Sequence, residues 1–324
     1  MTPQEYIESE LLKLKESSEL KKHSDQDIVA VIFRLIMSKK FRKYSANSDL
    51  QEQIKKAIAI NVRNREPINI TFPHGGYKLW RLDESPSVDW AELFSLKYYS
   101  QWVKPICEIY EPGVLFDFFV DDLIVPKLNN VLREEVELYI ESYRNLIKFM
   151  TDYQPENLRM TVTTVGSLFP SEDDFNNSLN KNIELKRKEY EGLPEISDKQ
   201  VSSIELNVKV TKAQLADPKW REEVALIESG YSLTKAEPGY HKDRPEKILA
   251  FVQPLPSGAT ISVGTTKSSI MKFWVGAGVL GRKEIGYKEI ILSPNQLRMA
   301  TFDWENIAIK GLNGKNFNKI RVLN

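Results

Sequence analysis

Apolar positions recur with a helical period over the first 64 residues. Ile28, Val31, Ile32, Leu35 and Ile36 follow i, i+3, i+4, i+7 spacing, and Ser24 offers an N-cap ahead of them. Tyr6, Leu11, Leu12 and Leu14 mark an earlier amphipathic helix over 4–19. A third helix is expected over 49–64, after the polar break at 45–48. The period then drops to two. Ile68, Ile70 and Phe72 alternate with polar residues as in a strand, and the run stops at Pro73-His74-Gly75-Gly76. Helical spacing returns from Val88 through Trp90, Leu93 and Leu96 to about Tyr110, with Pro105 expected to kink or break it. A Pro112-Gly113 turn, an apolar strand Val114–Val120 and the pair Asp121-Asp122 follow. Val136, Tyr139, Ile140, Tyr143, Leu146 and Ile147 hold one face of a helix over 133–150, and the β-branched run 158–165 predicts a third strand.

Beyond these elements the character changes. Residues 171–192 open on a capping signature at Ser171, close at Gly192 and are almost wholly polar, which predicts an exposed or projecting helix. Residues 202–210 read as a strand, and Asp217-Pro218 starts a short helix. From Lys247 onward, short apolar runs punctuated by Gly and Pro predict a β-rich C-terminal half. The chain therefore divides into 1–192, a helical lead-in plus an α/β core, and 193–324, a β-rich subdomain either continuous with the core sheet or appended to it. The expected class is α/β, a Rossmann-like open sheet with its ligand crevice outside the carboxyl ends of the strands.

Composition excludes several classes of function. Lys+Arg and Asp+Glu are both 45 of 324 residues, so there is no basic field for nucleic acid. The cluster Lys39-Lys40-Phe41-Arg42-Lys43 falls at an expected helix C-terminus, where cations are favourable. The single cysteine, Cys107, forbids an internal disulfide and any multi-cysteine metal site; its apolar neighbours assign it to packing. The N-terminus is charged from residue 5 and no apolar run nears ~20 residues, so neither a signal peptide nor a membrane span is expected and the cytoplasm is the expected location.

Chemistry-bearing residues gather where the first two strands end. His74 follows a strand and precedes two glycines, which suits either a general acid–base in a cleft or a water-exposed turn histidine. Asp121 and Asp122 can act as a base, hold a substrate amine or a divalent cation, or cap the next element. The three histidines are too dispersed for a zinc motif. Gly276-Ala277-Gly278-Val279-Leu280-Gly281 spells a dinucleotide fingerprint, but a turn and a strand are expected after it rather than a helix. Glycines at a β-turn or bulge are the favoured reading. Residues 264–269, Gly-Thr-Thr-Lys-Ser-Ser, read as a polar loop ahead of an anion site.

Over about residues 25–150 the chain resembles the isocyanide (isonitrile) synthase family, which includes the fungal dityrosine-biosynthesis enzymes, as a divergent member. The resemblance rests on Phe72-Pro73, Lys78, Glu92, Tyr110-Glu111-Pro112-Gly113, Asp121, and the spaced Glu135, Tyr139 and Arg144. It implies a cofactor-free, metal-free enzyme that joins the amine of an aromatic amino acid to the carbonyl carbon of a pentulose phosphate and then cleaves a carbon–carbon bond to leave an isocyanide. In that reading His74, Lys78 and Asp121 are catalytic. Lys78 and Arg81 meet phosphate and carboxylate, Tyr77, Trp80 and Tyr110 form an aromatic slot, and Asp122 contacts substrate. The partners expected are small molecules, an amino acid and a sugar phosphate, with no nucleic acid and no membrane. Two alternatives remain: a non-catalytic ligand-binding or interaction protein on the same scaffold, and a transferase using another phosphorylated donor.

Overall fold

Parallel strands and the helices between them form the heart of the molecule. A computed structural model of the chain describes residues 1–16, 27–41, 45–74, 82, 86–190, 208–239, 244–251, 260–262 and 276–324. The first sheet holds β1 (Ile68–His74), β2 (Val114–Val120), β3 (Leu158–Thr164), β4 (Lys247–Phe251) and β5 (Thr260–Ser262), in the order β3-β2-β1-β4-β5. Every neighbouring pair is parallel. The order runs outward from β1 to β3 and restarts on the other side of β1 with β4. The fold is thus an α/β open sheet of Rossmann-like order, with its switch point between β1 and β4.

Strand periodicity decides what each face carries. Ile68, Ile70 and Phe72 of β1, Val114, Phe116 and Phe118 of β2, and Ile248 and Ala250 of β4 enter one continuous core. Helices α1 (Pro3–Leu12), α2 (Ile28–Ile36), α3 (Ser48–Asn64), α4 (Trp90–Ile109) and α6 (Arg133–Thr151) contribute to it; the short α5 (Val125–Asn129) precedes α6. Tyr99 stacks on Phe116 at 4.8 Å, and Tyr143 meets Phe118 edge-on at 5.2 Å. Cys107 lies in this core, and burial pushes its thiol up to about 12, so it packs rather than reacts.

The turn into β2 admits only glycine. Gly113 has φ +72°, and a Cβ there would sit 2.0 Å from the Asn157 carbonyl oxygen. Helix α4 is fixed at its start by a reciprocal cap. Asp89 accepts from Ala91 N at 2.6 Å, and Glu92 accepts from Asp89 N at 2.8 Å. Of the kink or break expected at Pro105, the break does not occur: one helix runs from Trp90 to Ile109 through it. Tertiary packing on Trp102, Val103 and Ile106, all nearly inaccessible, offsets the lost backbone bond.

The second sheet has the order β7-β6-β9-β8, formed by β6 (Ala277–Arg282), β7 (Tyr287–Leu292), β8 (Phe302–Asn306) and β9 (Lys319–Leu323). Gly278 and Gly281 lie within β6 rather than at a turn or bulge, Gly276 sits at a bend just before it, and β7 follows antiparallel instead of a helix. Gly278 permits close approach: a Cβ would fall 2.4 Å from the Trp90 carbonyl carbon and 2.5 Å from Ala91 N. This sheet therefore docks directly on the start of α4. Trp90 Nε1 donates to the Lys319 carbonyl at 2.8 Å, and Lys97 of α4 pairs with Glu10 at 2.9 Å and with Glu289 of β7. The polar loop 264–269 lies outside the described residues.

One expectation about exposure needs correction. Helix α7 (Glu172–Tyr190) does not project; it pairs with α9 (Pro218–Ala236), which follows the short α8 (Lys212–Ala216). Phe175 and Leu179 are buried in a small core with Phe119, Ile124, Val165 and Tyr231. Asn182 donates to Thr234 Oγ1 at 3.0 Å and to Glu237 at 2.7 Å, and Gly230 makes room for Ile183. Two apolar residues one turn apart suffice here because α9 supplies the rest of the interface. Among the described residues no helix is long and apolar enough to cross a membrane.

Candidate functional site

The carboxyl ends of the parallel strands put Asp121 and Asp122 side by side, and the two carboxylates diverge. Asp121 points to α9. It accepts from the Tyr231 hydroxyl at 2.6 Å and from Lys235 Nζ at 3.3 Å, and Lys235 also sits 5.0 Å from the Tyr231 ring centre. Tyr231 and Lys235 are one helical turn apart, so a single face of α9 presents both to the strand end. Asp121 is therefore a carboxylate held within hydrogen-bond reach of a phenol and an ammonium.

Asp122 turns the other way. Its Oδ1 accepts from Gly166 N at 3.0 Å, just past the end of β3. Gly166 is needed there, since a Cβ would lie 2.9 Å from Asp122 Oδ2. Burial raises the Asp122 pKa above the ordinary carboxyl value; backbone donors from Gly166, Asp122 and Leu123 oppose the shift and the Asp121 charge adds to it. Asp122 and Thr164 share a cleft of about 230 Å³ with Arg133, Glu137 and Arg144 of α6. Arg133 is committed to Glu137 and Glu172. Arg144 is exposed and joins no ion pair among the described residues, so it offers a guanidinium to an anion entering the cleft.

The remaining sequence candidates divide sharply. His74 ends β1 level with Val120, so its backbone lies beside the acidic pair. Its side chain, together with Tyr77, Lys78, Trp80 and Arg81, lies outside the described residues. Tyr110 stands apart from the pair, before the other end of β2, where its hydroxyl donates to the carbonyls of Asn61 at 3.2 Å and Glu66 at 2.7 Å. Two residues of the family pattern, Glu92 and Tyr139, bond to each other: the Tyr139 hydroxyl donates to Glu92 at 3.0 Å in the buried cap of α4. Tyr231 and Lys235 were not singled out from the sequence. Tyr231 falls within the short helix expected after Asp217-Pro218, whereas Lys235 lies past its expected end; the observed helix runs on to Ala236 and brings both to the end of β2.

Among the described residues, no group of three or more His, Cys, Asp and Glu is arranged to hold a metal ion. The site offers hydrogen-bonding and charged side chains instead.

No family model matches the chain, and no curated protein sequence matches it. Among solved structures the chain is similar to the PvcA protein from Pseudomonas aeruginosa, at 14% identity and a TM-score of 0.62. The match covers 92% of this chain and 100% of that one. At that identity the likeness is one of fold. That likeness of fold covers far more of the chain than residues 25–150.

Proposed function

We propose that this chain is a small-molecule biosynthetic enzyme that converts the amine of an amino acid to an isocyanide, with a pentulose phosphate as carbon donor. At the level of fold, similarity to PvcA supports an isocyanide-synthase-like biosynthetic enzyme. The observation that carries the reading further is the acidic pair at the end of β2, standing where the family resemblance expects an aspartate. Asp121, steadied by Tyr231 and Lys235, takes the proton released as amine and carbonyl condense and returns one as water leaves. Arg144 across the neighbouring cleft receives the phosphate or carboxylate. By the family resemblance, His74, Lys78 and Arg81 would complete the machinery and Tyr77 and Trp80 would receive the substrate side chain.

The test is direct. The purified protein is incubated with ribulose 5-phosphate and either tyrosine or tryptophan, and the product is analysed by mass spectrometry for the isocyanide. The expected result is an isocyanide whose carbon derives from the labelled carbonyl carbon of the sugar, with Asp121→Asn and Lys78→Ala each lowering its formation by at least ~10²-fold. Activity that survives both substitutions would place the chemistry elsewhere. Binding of both substrates without turnover would favour the non-catalytic, ligand-binding alternative.

A further inference from the structure

One stripe of α6 and the ends of two strands enclose the cleft of about 230 Å³ beside Asp122. Arg133, Glu137, Ile140 and Arg144 recur every three or four residues and so share a helix face, with Val136 beside them. The opposite wall is Asp122 and Leu123, just past β2, and Thr164 at the end of β3. Val136 and Ile140 are buried, whereas Arg133, Glu137 and Arg144 are exposed. The cleft therefore has an apolar floor and a charged rim, and it is open to a ligand from solvent.

The rim charges are matched except at one position. Arg133 is held by both Glu137 and Glu172, so two carboxylates answer one guanidinium and the cluster keeps one negative charge. Asp122 Oδ1 accepts from Gly166 N, so the backbone N–H at the end of β3 is already used. Arg144 alone joins no ion pair among the described residues that line the cleft. Thr164 Oγ1 accepts from Ser167 N at 3.3 Å, which leaves its own hydrogen available to a second partner. What the cleft offers a ligand is thus one guanidinium, one hydroxyl donor and apolar surface.

We propose that this cleft selects a monocarboxylate on an apolar carbon skeleton and rejects phosphate, with Arg144 as the carboxylate ligand and Glu137 as the residue that determines the choice. A carboxylate brings one negative charge and two oxygens, which a single guanidinium meets in a bidentate pair. Leu123, Val136 and Ile140 then take the carbon skeleton. A phosphate monoester brings close to two negative charges against one available cation, beside the Glu137 and Asp122 carboxylates and with no backbone donor left to it. Glu137 therefore penalises the dianion more than the monoanion, a repulsive element that sharpens specificity. The proposal rests on the functional reading above only in counting the cleft as part of the site, and it narrows the anion that reading left open.

The experiment titrates the full chain with phenylacetate and phenyl phosphate, which share an apolar ring and differ in the anion, and follows binding by NMR. Wild type, Arg144→Gln and Glu137→Gln are compared; both side chains are exposed, and a thermal melt of each variant verifies its fold. Wild type should bind phenylacetate about tenfold more tightly than phenyl phosphate, and Arg144→Gln should lose about tenfold in phenylacetate affinity. Glu137→Gln removes a carboxylate and leaves Arg133 with Glu172 alone, so phenyl phosphate should gain several-fold and the preference narrow. The proposal is overturned by a wild type that binds phenyl phosphate as well as phenylacetate, or that binds neither. It is equally overturned by full phenylacetate affinity in Arg144→Gln, or by an unchanged preference in Glu137→Gln. Isocyanide formation is scored separately on wild type. Isocyanide without carboxylate preference sinks the selection and leaves the enzyme reading standing; carboxylate preference without isocyanide does the reverse.

Discussion

The two faces of the core sheet follow the same strands and obey opposite rules. On one, Phe72, Phe116 and Phe118 are shut away under α4 and α6, with Tyr99 and Tyr143 against them. On the other, Thr71 and Asp117 alternate with those phenylalanines and are just as inaccessible, yet carry hydroxyl and carboxylate groups. The period-two alternation of β1 and β2 makes the two arrangements inseparable: each polar residue is flanked by apolar ones one step along the chain. Stability is concentrated on the first face, and the second can then hold groups whose burial costs free energy. The comparison predicts that equal burial will not mean equal contribution to stability.

The largest expected effect is on the apolar face. Phe118→Ala should lower unfolding free energy by about 3–5 kcal/mol, since it empties a volume bounded by Phe116, Tyr99 and Tyr143. A chemical-denaturation midpoint measures it, and a loss under ~1 kcal/mol would break the assignment of stability to that face. On the polar face, Thr163→Val removes one of the threonine hydroxyls that donate to the Asp117 carboxylate and should cost roughly 1.5 kcal/mol, because bonds to ions are the stronger kind. Thr71→Val, equally buried, should cost nothing, since the Thr71 hydroxyl is buried without a hydrogen bond. Three substitutions on two adjacent strands and one neighbour thus rank the faces by chemistry rather than by accessibility.

At the carboxyl end the corresponding test is Tyr231→Phe. The ring stays in its small core beside Phe175, and only the donor to Asp121 is lost. A stability loss of about 1.5 kcal/mol is expected, as for the other part-buried bond to a carboxylate. If Tyr231 helps Asp121 exchange protons, turnover should fall far more than that and its pH profile should move. A structural tie alone would leave the profile in place.

What could be read from the sequence follows the range of the interactions involved. Strands β1 to β3 and helix α6 were legible because their periodicity is local and strong, and with them the position of Asp121 and Asp122 just past β2. The alternation Ile68, Ile70, Phe72 marks the strand by its apolar face alone, whereas Asn69 and Thr71 between them make the second face. Tyr231 and Lys235 meet Asp121 across more than a hundred residues, a contact that only the β3–α9 connection sets up. Tyr110 illustrates a different limit. Its place beside a Pro-Gly turn suggested a site, but a residue that precedes a parallel strand lies at the end away from the crevice. Helix α7 was misjudged from its average polarity, which hides the pair Phe175 and Leu179. The glycines of 276–281 spell a motif without its context: Gly278 serves contact with Trp90 and Ala91, and Gly276 and Gly281 lie against β7.

The smallest effect expected concerns Asp122, and its sign is the reverse of the usual carboxylate. Burial raises its folded pKa, so between the ordinary carboxyl value of about 3.9 and the raised value the native state binds more protons than the unfolded chain. Stability contributed by this group therefore falls as pH rises through that window, and the penalty is complete above the folded pKa. Asp122→Asn keeps an oxygen for Gly166 N and removes the titration. The difference in stability between variant and wild type should accordingly be smallest in acid, grow in favour of the variant through the window and level off above it. Denaturation curves of both proteins across that range would show it. A difference independent of pH would mean that burial does not raise the Asp122 carboxyl, and the account of its cleft as a desolvating one would have to be abandoned.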